Sequence, residues 1–64
     1  MFQTGDLVRI QSGYADPSGQ EFDWVGMILS YLGTGGLGGE PEWLVQWAHH
    51  PHEAVEYGYY LEAI

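Results

Sequence analysis

The chain has 64 residues, nine carboxylates, one Lys or Arg and no cysteine, giving a formal net charge of −8. The length allows a single domain, residues 1–64. Zero cysteines exclude disulfide staples, thiolate zinc sites and thiol nucleophiles. The lone base, Arg9, argues against a nucleic-acid partner, because phosphate-backbone binding needs several Lys or Arg.

No apolar run is long enough to cross a bilayer, so no membrane role is expected. The N-terminus has no basic region followed by an apolar core, so it does not read as a signal peptide. A chain this short buries only roughly 60% of its unfolded surface. Its ten aromatic residues (three Trp, five Tyr, two Phe) offset part of the ordering cost, since each large ring removes about 150–250 Å² from water. A small acidic domain of this kind is expected to gain stability from a partner or from self-association.

In chain order, Leu7–Ile10 alternates with Val8 and Ile10 on one face and Leu7 and Arg9 on the other. Residues 11–20, with Gly13, Asp16, Pro17 and Gly19, read as a long turn. Residues 25–32 place Val25, Met27, Leu29 and Tyr31 on one face, and Gly26, Ile28, Ser30 and Leu32 on the other. β-Branched and aromatic residues with period two, bounded by glycines, predict strands. Gly26 falls where a small barrel needs a bend or bulge.

Five glycines make residues 33–41 a flexible hairpin loop, with the apolar Leu37 between glycine pairs. Residues 42–48 fit either a strand, with Trp43, Val45 and Trp47 on one face, or a short helix with Pro41 in its first turn. Two tryptophans, a valine and the nearby Pro51 favour the strand. Residues 49–53 form a short connection. A strand at 54–57, a tight turn through 59–61 and a last strand at 62–64 complete the reading, with one C-terminal helix as the competitor that Gly58 weakens. The predicted fold is all-β: a small, five-stranded antiparallel SH3-like barrel with a tight turn before the last strand, whose closure removes exposed sheet edges.

The residues carry a resemblance across nearly the whole chain. Gly5-Asp6-Leu7-Val8-Arg9-Ile10 resembles the opening strand of SH3-like barrels, and Val25-Gly26-Met27-Ile28 their second strand. Trp43-Leu44-Val45-Gln46-Trp47 resembles the third, and Tyr60-Leu61-Glu62-Ala63-Ile64 the closing turn and strand. The pattern is most similar to the small acidic SH3-like proteins of tailed bacteriophages, including cyanophages. That resemblance implies a virion component, such as capsid cement or a head-to-tail connector piece, located in the virion or the cytoplasm of the infected host. The Ala-Leu-Tyr-Asp-Tyr signature of signalling SH3 domains is absent. One small barrel hosts many tasks, so the motifs speak to fold more than to function.

Several constellations suggest chemistry. His49, His50 and His52, with Glu53 and Glu56, offer enough ligands for Zn²⁺ or Ni²⁺, but Pro51 and the alternation of strand faces work against convergence. A solvated polar loop explains them better, and no cofactor is expected. Trp24, Trp43, Tyr57, Tyr59 and Tyr60 are candidates for a cage around a methylated or quaternary ammonium ligand, against core and rim packing. Asp6, Glu21 and Asp23 offer carboxylates for hydrolysis, but a barrel this small has little concave volume. The glycine run lacks the Lys-Ser/Thr of a phosphate loop, and Glu40 repels phosphate.

The expected role is therefore non-enzymatic: a small structural or adaptor protein docking on a larger assembly. Its partner-binding candidates are Tyr14, Asp16, Leu37, Tyr59 and Tyr60, since aromatics are the usual interface anchors. The alternative is a ligand- or peptide-reading SH3-like module that uses its surface aromatics.

Overall fold

The computed structural model describes residues 1–15, 17–20, 22–36 and 38–64. The strands are β1 (Leu7–Ile10), β2 (Val25–Gly35), β3 (Glu40–Trp47), β4 (Ala54–Tyr57) and β5 (Leu61–Ala63), with a 3₁₀ turn at Gly58–Tyr60 between the last two. They form one antiparallel sheet in the order β4-β3-β2-β1-β5. The protein is all-β, a small SH3-like barrel made by bending this meander over its own core. Residues 42–47 are strand and not helix, and Ala48 begins the turn that follows. Three inward-facing side chains of β3 explain the choice: Trp43, Val45 and Trp47 are all buried, and a helix could not turn all three into one core.

The core is Val8, Ile10, Ile28, Trp43, Val45, Trp47 and Leu61, ringed by Phe2, Tyr14, Phe22, Trp24, Ala54 and Tyr60. The alternation expected for β1 and β3 holds. That of β2 holds in exposure as far as Tyr31, while its pairing with β3 slips after Ile28. Register shifts between Ile28 and Ser30, and again between Tyr31 and Gly33, insert Leu29 and Leu32 as extra residues opposite β3. Each such bulge reverses which side later residues face. Tyr31 therefore pairs with Trp43 and brings its ring to 4.8 Å from it, while staying exposed. Gly33, at φ 98°, takes a conformation at the second bulge that a side chain would strain.

Gly26 is not a bulge, since its pairing with Val8 and with Trp47 runs without a shift. It lies directly under the third strand, where an added Cβ would sit 2.7 Å from Trp47 Cε3, 2.8 Å from Val45 Cγ1 and 2.9 Å from the Gln46 carbonyl oxygen. The glycine provides clearance for the Trp47 ring. The supposed long glycine loop is also shorter than its composition suggests. Strands β2 and β3 run into it, leaving a connection of residues 36–39. A Cβ on Gly36 would stand 3.2 Å from the Tyr57 hydroxyl, so that tyrosine lies against the hairpin tip.

The last turn and strand begin one residue earlier than expected, at Gly58 and Leu61. Leu61 is buried and pairs with Ile10, which fixes the register. Among the described residues, strand pairing does not run from β4 to β5, so the ladder is not closed by hydrogen bonds. The 3₁₀ turn joins these two edges instead. At four and three residues the edges are short, which limits their use as templates for another chain.

The outer face of the sheet leaves Leu7, Val25, Met27 and Val55 exposed. Arg9 crosses this face to Glu62 on β5, Nε to Oε1 at 3.0 Å. Among the described residues no helix is long and apolar enough to cross a membrane.

Replacing Gly26 with Ala should destabilise the fold by about 1–3 kcal/mol, since two β3 side chains and a β3 carbonyl must move. Urea unfolding of the two proteins checks this. The expected outcome is a lower midpoint with unchanged slope.

Candidate functional site

The long connection between β1 and β2 packs onto the end of the chain. The Gln11 backbone N–H donates to the Tyr60 carbonyl at 2.7 Å, and the Gln11 side-chain amide donates to the Leu61 carbonyl at 3.0 Å. The Tyr14 N–H turns back to the Gln11 carbonyl at 3.4 Å. These bonds hold the Tyr14 ring 4.9 Å from that of Tyr60, edge to face. At the other end of the connection Phe22 lies 4.8 Å from Trp24, and Trp24 lies 5.6 Å from Trp47 in the core.

A cleft of about 350 Å³ opens between these parts. Ile10 forms its floor. Tyr14, Ala15 and Phe22 line it from the connection, with Trp24 beside β2 and Tyr60 from the 3₁₀ turn. The one charged side chain among the described lining residues is Glu56 of β4. Glu56 pairs across the ladder with Trp43, so it stands on the core-facing side of an edge strand and is half-buried. The Trp47 indole N–H donates to Glu56 Oε2 at 2.9 Å. This bond holds the carboxylate in place and gives the buried indole its partner.

A second, smaller hollow of about 130 Å³ lies beside Arg9, Gln11, Ser12, Phe22 and Glu62. Its two charged groups are engaged with each other.

A row of tyrosines leads away from the cleft. Tyr60 lies 4.5 Å from Tyr59, and Tyr59 stacks on Tyr57 at 5.5 Å with the rings 7° from parallel. Hydrogen bonding to the Tyr60 side chain is the main reason that the Tyr59 hydroxyl is pushed up to about 12, with the neighbouring Tyr57 and Glu40 acting in the same direction.

Of the partner-binding candidates, Tyr14 and Tyr60 line the cleft half-buried, and Tyr59 stands 41% exposed beside it. Asp16 and Leu37 lie outside the described residues, as does Glu21. The aromatic cage candidates divide. Trp24 and Tyr60 meet at the cleft, Tyr57 and Tyr59 stack outside it, and Trp43 is core, 5.5 Å from Phe2.

His49 turns its ring onto Trp24 at 4.5 Å, while His50 Nδ1 is taken up by the backbone of His52. Among the described residues no three His, Asp or Glu side chains gather as a metal ion requires. Asp6 Oδ2 accepts the Gln3 backbone N–H at 2.9 Å, which makes it a turn-forming group.

Sequence reasoning missed Phe22 and Ala15, and it offered Glu56 only as a metal ligand beside the histidines, not as a wall of this cleft. The segment Ala54-Val55-Glu56-Tyr57 alternates, and hydrophobicity points Val55 inward. The protein does the reverse: Val55 is 56% exposed and Glu56 turns in. Only the indole N–H of Trp47 makes that orientation favourable, and such a long-range partner leaves no local signal.

No protein-family model matches the chain, and no curated protein or solved structure matches it.

The tyrosine row has a pH signature. Tyr59 ionises near its ordinary value of 10.0 in the unfolded chain and at about 12 in the folded one. Its contribution to stability is therefore fully present below the unfolded value and is lost as pH rises through the folded value. Phenolate absorbance should show one tyrosine titrating late, and Tyr60→Phe should move it back toward 10.0.

Proposed function

We propose that the protein is a non-enzymatic docking protein, a small structural or adaptor component that attaches to a larger assembly through its tyrosine row and the adjoining cleft. The observation that carries this reading is the continuous run of rings Tyr57, Tyr59, Tyr60 and Tyr14. Tyrosines held by their neighbours lose little conformational freedom on contact and present both an apolar face and a hydroxyl, which suits them as interface anchors.

The partner is a different protein with a basic surface. Two copies of a chain with net charge −8 and one base repel each other, whereas a basic surface is steered toward it. The resemblance to phage SH3-like proteins suggests the setting: a virion, with the chain acting as capsid cement or as a connector piece.

Light scattering behind size exclusion should find a monomer at low salt; a stable oligomer would overturn the choice of a basic heterologous partner. Tagged protein isolated from its native setting should come with a larger assembly that high salt releases. Tyr59→Ala should weaken that attachment by about 2 kcal/mol, as removal of an interface anchor does. Attachment that ignores both salt and Tyr59→Ala would sink the proposal.

A further inference from the structure

The cleft beside the tyrosine row has a chemistry of its own. Its described walls are aromatic except for Ile10, Ala15 and Glu56. Neighbouring rings stand at 59° for Phe22 and Trp24, and at 66° for Tyr14 and Tyr60. They form walls that meet at angles, not one flat stack. Aromatic faces carry partial negative charge and attract cations. Glu56 adds a full negative charge, fixed in position by the Trp47 indole N–H. A carboxylate that accepts one hydrogen bond keeps further lone pairs for another donor.

Other occupants fit less well. An anion meets Glu56 and the field of a chain at −8. A metal ion finds a single carboxylate and no second charged ligand among the described lining residues. A neutral apolar group fits the rings but leaves the half-buried Glu56 without a charge partner.

We infer that the cleft of Tyr14, Phe22, Trp24, Glu56 and Tyr60 is a binding site for an organic cation, the ammonium or guanidinium of a Lys or Arg presented by the docking partner. This rests on the docking reading and specifies what the partner inserts. Glu56 receives the N–H donors of the cation, and the rings of Trp24 and Tyr60 cover its alkyl stem and charged head. The volume of about 350 Å³ accommodates one such side chain. The tyrosine row then provides the surrounding contact area, and the cleft specifies register.

The test uses the intact chain, labelled with ¹⁵N, and follows the indole N–H of Trp24 and Trp47 by NMR. The probes are the acetylated amides of arginine, lysine and citrulline, together with choline. The arginine and lysine probes should shift both indole signals saturably. Citrulline, the neutral isostere of arginine, should bind at least about tenfold more weakly, as should arginine to Glu56→Gln.

Glutamine keeps an acceptor for Trp47, so this variant should retain the fold. Tyr14→Leu, which leaves Glu56 untouched, should weaken binding as well. Equal binding of arginine and citrulline, or no saturable shift with either, would overturn the cation site. Choline binding tighter than both basic amides would overturn the side-chain assignment in favour of a small quaternary ammonium. These outcomes are separable from failure of the docking reading, which is decided by Tyr59→Ala on the assembly and needs no free cation.

Discussion

The structure depends on the placement of one indole. Trp47 lies against Gly26, where an added Cβ would meet its ring, and is buried among Val45, Ile28 and the rest of the core. Its edge meets Trp24, and its N–H reaches Glu56. One residue thus ties β2, β3 and β4 together and carries order from the core to the surface cleft. A core ring normally contributes burial alone. Here it also aims a carboxylate, so the site is as rigid as the core that supports it.

The outside of the barrel is governed by a different balance. Apolar side chains on the outer sheet face and a row of tyrosines would invite association in a neutral protein. Nine carboxylates against one base oppose it between like copies. That base is itself drawn into a cross-strand pair with Glu62. Such an exposed pair adds about 0–1 kcal/mol at most, so its larger effect is on the field, since it leaves the acidic character of the remaining surface unbroken.

Much of the fold was legible before any coordinates. Period-two alternation located β1 and the start of β2; residue type and Pro51 favoured the strand for β3, with Trp43, Val45 and Trp47 on one face, and Gly58 bounded β4. The limits of the alternation are instructive. Leu29 and Leu32 look like ordinary members of an apolar strand, yet both are bulges, and the first brings Tyr31 opposite Trp43. A bulge is settled by how one strand fits its neighbour, and the neighbour is not encoded nearby. Glycine composition misled in two directions. Gly26 gives clearance for Trp47, and strand runs into the glycine-rich stretch from both sides, to Gly35 and from Glu40. At the site, Trp24, Tyr14 and Tyr60 could be suspected from residue type alone. Glu56 was suspected only as a metal ligand, because its orientation answers to an indole nine residues away in sequence and one strand away in space.

The pairing of β1 with β5 sets the order in which this molecule can come into being. Val8, Arg9 and Ile10 are matched to Ala63, Glu62 and Leu61, and the connection after β1 is held by the carbonyls of Tyr60 and Leu61. The β2–β3 hairpin can form from local contacts while the chain is still being made. The cleft cannot, because its walls come from both ends of the sequence, and contacts so distant are the last to be closed. The cleft is therefore a property of the whole fold: no single hairpin of the sheet contains its walls, and it exists only while β1 and β5 stay paired.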